Sequence, residues 1–202
     1  AIFKVPTPVN ERVRNYAPGT HERATLKEEI EKLRSQVLEI PMYIGGEEVK
    51  TGNLVSIHPP HERKHLLGHY HKGDASHVQM AIKAALEAKE KWAALSWEHR
   101  ASIFLKAAEL IAGPYGDTIN AATMLAQSKN VMQAEIDSAC EMADFLRFNV
   151  KYMTEIYEQQ PISSELIWNR LEQRPLEGFI FALTPFNFTS IAGNLPSAPA
   201  MM

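Results

Sequence analysis

Apolar positions recur at three-to-four spacing through most of the chain before Pro161, and that period predicts a series of helices. In HERATLKEEIEKLRSQVLEI, starting after Thr20, the residues Leu26, Ile30, Leu33 and Val37 share one face. Thr20 or Thr25 is available to cap the first amides, and Pro41 stops the run. Asp74 is placed to cap a second helix bearing Val78, Ile82, Ala85 and Trp92 on one side. Ser96 opens a third, whose apolar residues Ile103, Phe104, Ala107, Leu110 and Ile111 run to Gly113-Pro114. There glycine offers a left-handed cap and proline cannot continue the helix. A shorter helix is expected over about 117 to 127. The longest is expected over about 131 to 157, with a core seam of Ile136, Ala139, Ala143, Leu146, Val150, Met153 and Tyr157.

Between and around these helices the pattern changes. Residues 1–19 hold Pro6, Pro8, Pro18 and Gly19 among mixed polar residues, as in an extended arm lying on a larger surface. MYIGGEEVKTG carries short β-type runs about Gly45-Gly46, a hairpin signal, and further short strands are expected in 53–72. After Pro161, ISSELIWNRLEQRP alternates, and LEGFIFALTP is a continuous apolar run closed by proline, the pattern of a buried parallel strand. NFTSIAGNLPSAPAMM then reads as a loop into a small-residue helix. Helices followed by a parallel strand make the class α/β, and a sheet whose first central strand begins near residue 177 is not completed by Met202.

Composition narrows the function classes. With 45% hydrophobic residues in 202 the chain can bury a substantial core. A net charge of -3, with both signs spread along the sequence, leaves no basic footprint for nucleic acid. Cys140 is the one cysteine, so no internal disulfide forms and a reducing compartment is expected. The apolar runs are too short to span a bilayer and the start AIFKVPTPVNER has no secretory core, so the chain reads as mature and soluble.

The sharpest candidate for chemistry is Thr184-Pro185-Phe186-Asn187-Phe188, at the carboxyl end of the expected strand, where open α/β sheets hold ligands. Asn187 can donate two N–H bonds from a neutral amide to a developing oxyanion, and Pro185, lacking an N–H, shapes an exposed backbone ledge. The same residues also suit a plain strand-ending turn. On the longest helix, Glu141, Phe145 and Phe148 form one stripe at i, i+4 and i+7, which sets an acid in line with two aromatics. Such a carboxylate wants a cation. A substrate ammonium would serve, and so would a salt bridge to Arg147 or Lys151.

Taken in order, these segments resemble the aldehyde dehydrogenase superfamily. TPFNF follows the Pro-Leu-Glu-Gly-Phe strand and precedes Gly193-Asn194-Leu195 and Pro199-Ala200, as the family's Pro-aromatic-Asn-Phe segment does. QAEID (133–137), FLRFN (145–149), QQPIS (159–163) and LEGFIFALTPFNF (176–188) most resemble the family's pyrroline-5-carboxylate branch, and YIGGEEV follows the same order. The resemblance covers nearly the whole chain. It implies the N-terminal portion of a three-domain α/β fold. Residues 1–159 would be the N-terminal arm and the helical part of the NAD-binding domain, 160–173 a segment of the β oligomerisation arm, and 174–202 the start of the Rossmann-like sheet.

The resemblance implies a reaction too: oxidation of glutamate semialdehyde to glutamate through a thiohemiacetal and a thioester, with hydride passing to NAD. Asn187 aligns with the oxyanion-stabilising asparagine, and Thr184, Pro185 and Phe186 with the ledge beside the nicotinamide. Phe188 aligns with an aromatic wall of the aldehyde tunnel, and Glu141 with the position that holds the substrate's α-amino group. A homodimer or higher homo-oligomer is implied, in the mitochondrial matrix or a bacterial cytoplasm, with neither nucleic acid nor membrane as partner. The family's nucleophilic cysteine and general-base glutamate are expected beyond Met202, so the 202 residues alone are expected to be inactive.

Two other readings remain open beside this one. His58, His61, His65, His69 and His71 crowd one stretch, but Pro59-Pro60 intervenes and no cysteine completes a metal set, so a solvated surface is expected and no metal. A non-catalytic helical interaction module would account for the missing thiol. Cys140 itself, beside Ala139 and Ala143 on the expected core seam, reads as buried and inert.

Overall fold

A computed structural model describes residues 4–202; the first three residues of the expected arm lie outside it. The elements in chain order are helix α1 (His21–Arg34), strands β1 (Leu38–Ile40), β2 (Met42–Ile44), β3 (Glu47–Val49), β4 (Leu54–Ile57) and β5 (Gly68–His71), and helices α2 (Ala75–Ala93), α3 (Trp97–Ala112) and α4 (Gly116–Gln127). Then α5 (Val131–Ala134), a π segment (Glu135–Cys140) and α6 (Glu141–Glu158) form one continuous rod, and a 3-10 turn (Ile191–Gly193) leads into α7 (Asn194–Met201).

The start signals fall where the sequence places them, with local differences. Asp74 accepts from the backbone N–H groups of Ser76 at 2.9 Å and His77 at 3.4 Å, while His77 Nδ1 accepts from Asp74 N–H at 3.2 Å. Ser96 caps α3 through His99 N–H. Thr20 stands at the N-cap of α1, but its hydroxyl bonds Ala17 O at 2.8 Å instead of capping. Gly113 ends α3 with φ −99, so the left-handed cap expected there does not form. Helix α1 stops at Arg34 instead of running to Pro41, because Leu38–Ile40 pairs in parallel with β5, about thirty residues downstream, which local periodicity cannot announce.

Two small sheets result: β1-β5-β4, mixed, and the β2-β3 hairpin. Gly45 (φ 63) and Gly46 (φ 87) form the two-residue turn between Ile44 and Glu47, and positive φ at both positions is what this turn requires. At Gly68 the reason is proximity: a Cβ would sit 2.4 Å from the carbonyl oxygen of Leu38 on the neighbouring strand.

The core lies between helices. Ala101, Val150, Met153 and Met201 join α3, α6 and α7, and Ala108, Met142, Ala143 and Leu146 continue the α3–α6 seam. A third cluster of Tyr16, Leu26 and Ala121 binds the arm to α1 and α4. Trp92 ties the end of α2 to α7, its indole N–H donating to Ala200 O at 2.7 Å and its ring meeting Phe104 edge-on at 6.2 Å. The rest of α2 departs from expectation: no residue of it is buried, and Val78 and Leu86 face solvent.

Two further expectations change. Ile136, assigned to the core seam, is exposed, while its neighbour Glu135 is 1% exposed. The π segment is the reason: its wider turn keeps residues four apart in line, so Glu135-Ala139-Ala143 and Ala134-Ser138-Met142 form the buried stripes. The run LEGFIFALTP forms no strand, and Phe181 and Leu183 are exposed. A central parallel strand needs bonded neighbours and cover on both faces, and neither sheet among the described residues includes this segment. In 160–173 the strand-like pairing is a single antiparallel bridge, Ser164 with Ile167.

The arm spans the helices as expected. Asn10 Nδ2 and Glu11 N–H donate to the Asp144 carboxylate at 2.8 and 2.6 Å, and Arg14 reaches Asp117 at 2.8 Å and Ala112 O at 2.7 Å. Its end is fixed by Glu135, which accepts from Arg14 N–H at 2.9 Å, Tyr16 Oη–H at 2.7 Å and Asn120 Nδ2 at 2.7 Å. Burial first, then the Glu135 hydrogen bond, pushes the Tyr16 phenol well above its usual range, so it is held as a donor.

Candidate active site

The 186–190 turn is seated on α4 and the π segment. Thr123 Oγ1 lies 2.8 Å from both Ser138 Oγ and Thr189 Oγ1, and the Ser190 hydroxyl donates to Ser138 O at 2.7 Å. Gln127, at the end of α4, donates to Phe186 O at 3.4 Å. Hydroxyl side chains suit this junction because each can pair with a neighbouring hydroxyl or carbonyl without bringing charge into it. Thr184, Pro185, Phe186 and Asn187 stand exposed on the outer side of this turn, whereas Phe188 is partly covered.

What covers Phe188 is Lys129. Its Nζ lies 4.4 Å from the ring centroid and 2.7 Å from Asp137 Oδ2. Asp137 precedes Glu141 by four residues on the same rod, so Lys129, Phe188, Asp137 and Glu141 form a single neighbourhood. Phe188 and Asp137 are therefore linked through one cation, with Glu141 four residues further along the rod. Burial, then the charges of Asp137 and Asp144, raises the Glu141 carboxyl above its usual range, and Lys129 opposes the rise.

The ordinary partners proposed for Glu141 are engaged elsewhere. Arg147 pairs with Glu11 at 2.6 Å and Glu109 at 3.0 Å, and Lys151 with Glu155 at 3.5 Å. Among the described residues Glu141 has no salt-bridge partner. Phe145 and Phe148, its expected stripe mates, do lie on the outer side of α6: Phe145 is exposed, and Phe148 is partly covered with Tyr152 6.1 Å away.

Lys129, Asp137, Thr123 and Ser138 escaped the reading of the sequence. One signal was present: Asn130 and Gln133 form a capping box, which marks Lys129 as the last residue before a helix and fixes where its side chain leaves the loop.

Cys140 is buried against Glu135, its sulfur 3.6 Å from Glu135 Oε1. Burial and the neighbouring carboxylate push the thiol up to about 12, the reverse of what a nucleophile needs. Cys140 is expected to resist iodoacetamide in the native protein at pH 8 and to be alkylated once the chain is unfolded, as read by mass spectrometry. Rapid native alkylation would overturn the burial assigned to it.

The histidines are dispersed into separate bonds. Gly52 N–H donates to His71 Nδ1 at 3.1 Å, so His71 Nε2 carries the proton given to Glu39 at 2.8 Å. His61 meets Ser128 Oγ at 2.7 Å, and His58 meets His65 O at 2.8 Å. Among the described residues no group of three or more His, Cys, Asp or Glu side chains is arranged to hold a metal, and no helix is long and apolar enough to cross a membrane.

A delta-1-pyrroline-5-carboxylate dehydrogenase of Agaricus bisporus is 48% identical over 204 residues, covering 100% of this chain and 37% of that protein. The mitochondrial delta-1-pyrroline-5-carboxylate dehydrogenase of Homo sapiens is 43% identical over 193 residues, covering 96% of this chain and 34% of that protein. A crystal structure of the Mycobacterium tuberculosis delta-pyrroline-5-carboxylate dehydrogenase bound with NAD superposes with a TM-score of 0.97 at 49% identity, over 100% of this chain and 38% of that one. The chain thus spans little more than a third of the length of these relatives. The model of the aldehyde dehydrogenase family matches residues 48–202. With that match extending over most of its length, including the 184–190 turn and the Glu141 helix, the chain belongs to the aldehyde dehydrogenase family.

Proposed function

We propose that this chain forms part of an enzyme that oxidises L-glutamate 5-semialdehyde, formed from pyrroline-5-carboxylate, to glutamate with NAD in proline catabolism. The observation that carries the substrate assignment is Glu141, a partly covered carboxylate whose neighbouring cations are committed to other acids. A substrate ammonium would supply the missing charge. Phe188 flanks the hydrocarbon part of the aldehyde, and Asn187 donates its amide N–H groups to the carbonyl oxygen as negative charge gathers there. The exposed Thr184–Phe186 edge fits a planar cofactor ring, since Pro185 brings no N–H and the Phe186 ring is 95% exposed. NAD, when bound, accepts the hydride.

Cys140, buried in the rod against Glu135 with its thiol pushed up, is poorly placed to be the nucleophile, so the role proposed for these 202 residues is recognition and oxyanion stabilisation. Residues 160–173, with Ile162, Leu166 and Trp168 exposed, suit an oligomerisation arm that is covered by a second subunit. The human relative is named mitochondrial, and the compartment proposed for this chain is the mitochondrial matrix, with a bacterial cytoplasm as the alternative.

The test is selectivity in the enzyme of full family length carrying these residues. Glu141→Gln is expected to raise KM for glutamate semialdehyde about tenfold, the equivalent of losing one charge-assisted bond. KM for 5-oxopentanoate, which lacks the amino group, should stay within a factor of about two. An equal change for both aldehydes would remove Glu141 from amine recognition.

A further inference from the structure

We propose that Lys129 is a positioning residue of the amine-recognising wall, holding Phe188 and the Asp137–Glu141 edge of the rod in one arrangement that leaves Glu141 open to a ligand cation. This rests on the reading of Glu141 given above. The Lys129 side chain is only 15% exposed, and its ammonium lies between a carboxylate and an aromatic face. It is a fixed group, not a surface cation sampling solvent.

The backbone that delivers it is built for the purpose. Ser128, the residue before it, is the non-glycine residue with positive φ (56) among those described. A left-handed residue between α4 and α5 reverses the chain sharply. His61 holds Ser128 Oγ at 2.7 Å on one side, and on the other Asn130 begins the next helix with its capping box. Lys129 is thereby aimed back across the rod toward Asp137.

Charge pairing gives the function. Lys129 engages Asp137 at 2.7 Å, so that carboxylate has its cation. Asp144, one turn further along α6, is held by the neutral donors Asn10 Nδ2 and Glu11 N–H of the arm. Arg147 is held by Glu11 and, from α3, Glu109. Glu141 is left as the carboxylate of this face with neither a cation nor an arm contact among the described residues, which fits a substrate ammonium. Without Lys129, Asp137 would compete with Glu141 for that ammonium, Phe188 would lose the cation on its face, and Glu141 would lose the one group that opposes its protonation.

The experiment compares Lys129→Met, Lys129→Arg and Glu141→Gln in the enzyme of full family length at about pH 7, using glutamate semialdehyde and 5-oxopentanoate. Lys129→Met is expected to raise KM for the amino aldehyde about tenfold with kcat within about twofold, leaving 5-oxopentanoate little changed. Lys129→Arg, keeping charge and stacking, should restore most of the selectivity. A normal KM for the amino aldehyde in Lys129→Met would overturn the proposal, and so would an equal rise for both aldehydes. If Glu141→Gln leaves selectivity intact, the reading of Glu141 itself fails. Intact Glu141 behaviour with a silent Lys129→Met defeats only the role of Lys129.

Discussion

Alanine at position 187 is expected to lower kcat by about 100-fold or more in the enzyme of full family length, with KM for the aldehyde nearly unchanged. The Asn187 amide is neutral, so it binds an uncharged carbonyl weakly and an oxyanion strongly, and its loss falls on the transition state. The turn that carries it is anchored by its neighbours: Thr189 through Thr123, Ser190 through Ser138, and Phe188 through Lys129. Truncating the exposed Asn187 side chain leaves those anchors in place. Steady-state kinetics with glutamate semialdehyde and NAD give the measurement, and circular dichroism controls for folding. Asn187→Asp tests the same point by opposite means, since a carboxylate of equal size repels the oxyanion and should be at least as damaging. Wild-type kcat in either variant would remove Asn187 from the reaction.

The largest stability effect is expected at Glu135. It is 1% exposed and accepts from Arg14 N–H, Tyr16 Oη–H and Asn120 Nδ2. Glu135→Ala would strand three donors in the interior and empty the space they converge on, at a cost of about 3–5 kcal/mol. Glu135→Gln preserves the shape but turns one acceptor into a donor, and should cost less. Urea titration of the enzyme of full family length reads both, as a fall in midpoint at constant slope. A midpoint for Glu135→Ala within experimental scatter of wild type would show that the network adds nothing to stability.

How far the sequence discloses this molecule depends on the reach of each interaction. Helices α2 and α3 and the Gly45-Gly46 hairpin are legible because caps and turn residues act within a few positions. The end of α1 is not, because Leu38–Ile40 is drawn into a strand by β5. Ile136 misleads for a different reason: periodicity assumes a constant turn, and the π segment changes it at that residue. The run at 177–184 carries the composition of a buried strand, but composition does not supply the neighbours a strand requires. In the site, Glu141 and Phe188 are legible from pattern and family resemblance. Lys129 is not, since a lysine in a loop reads as solvated until its aromatic and acidic partners are brought to it from residues 188 and 137.

The tethering of the arm bears on the order in which the chain assembles. Asn10 meets Asp144 across 134 positions, and Arg14 meets Glu135 across 121. Closing a loop of that length costs about 4 kcal/mol in chain entropy before any contact repays it. The helix pair α3–α6 is separated by a much shorter stretch and can settle earlier. With the arm sewn last across a standing scaffold, its bonds are expected to form after the rate-limiting step. Weakening them should leave the folding rate nearly untouched and speed unfolding instead.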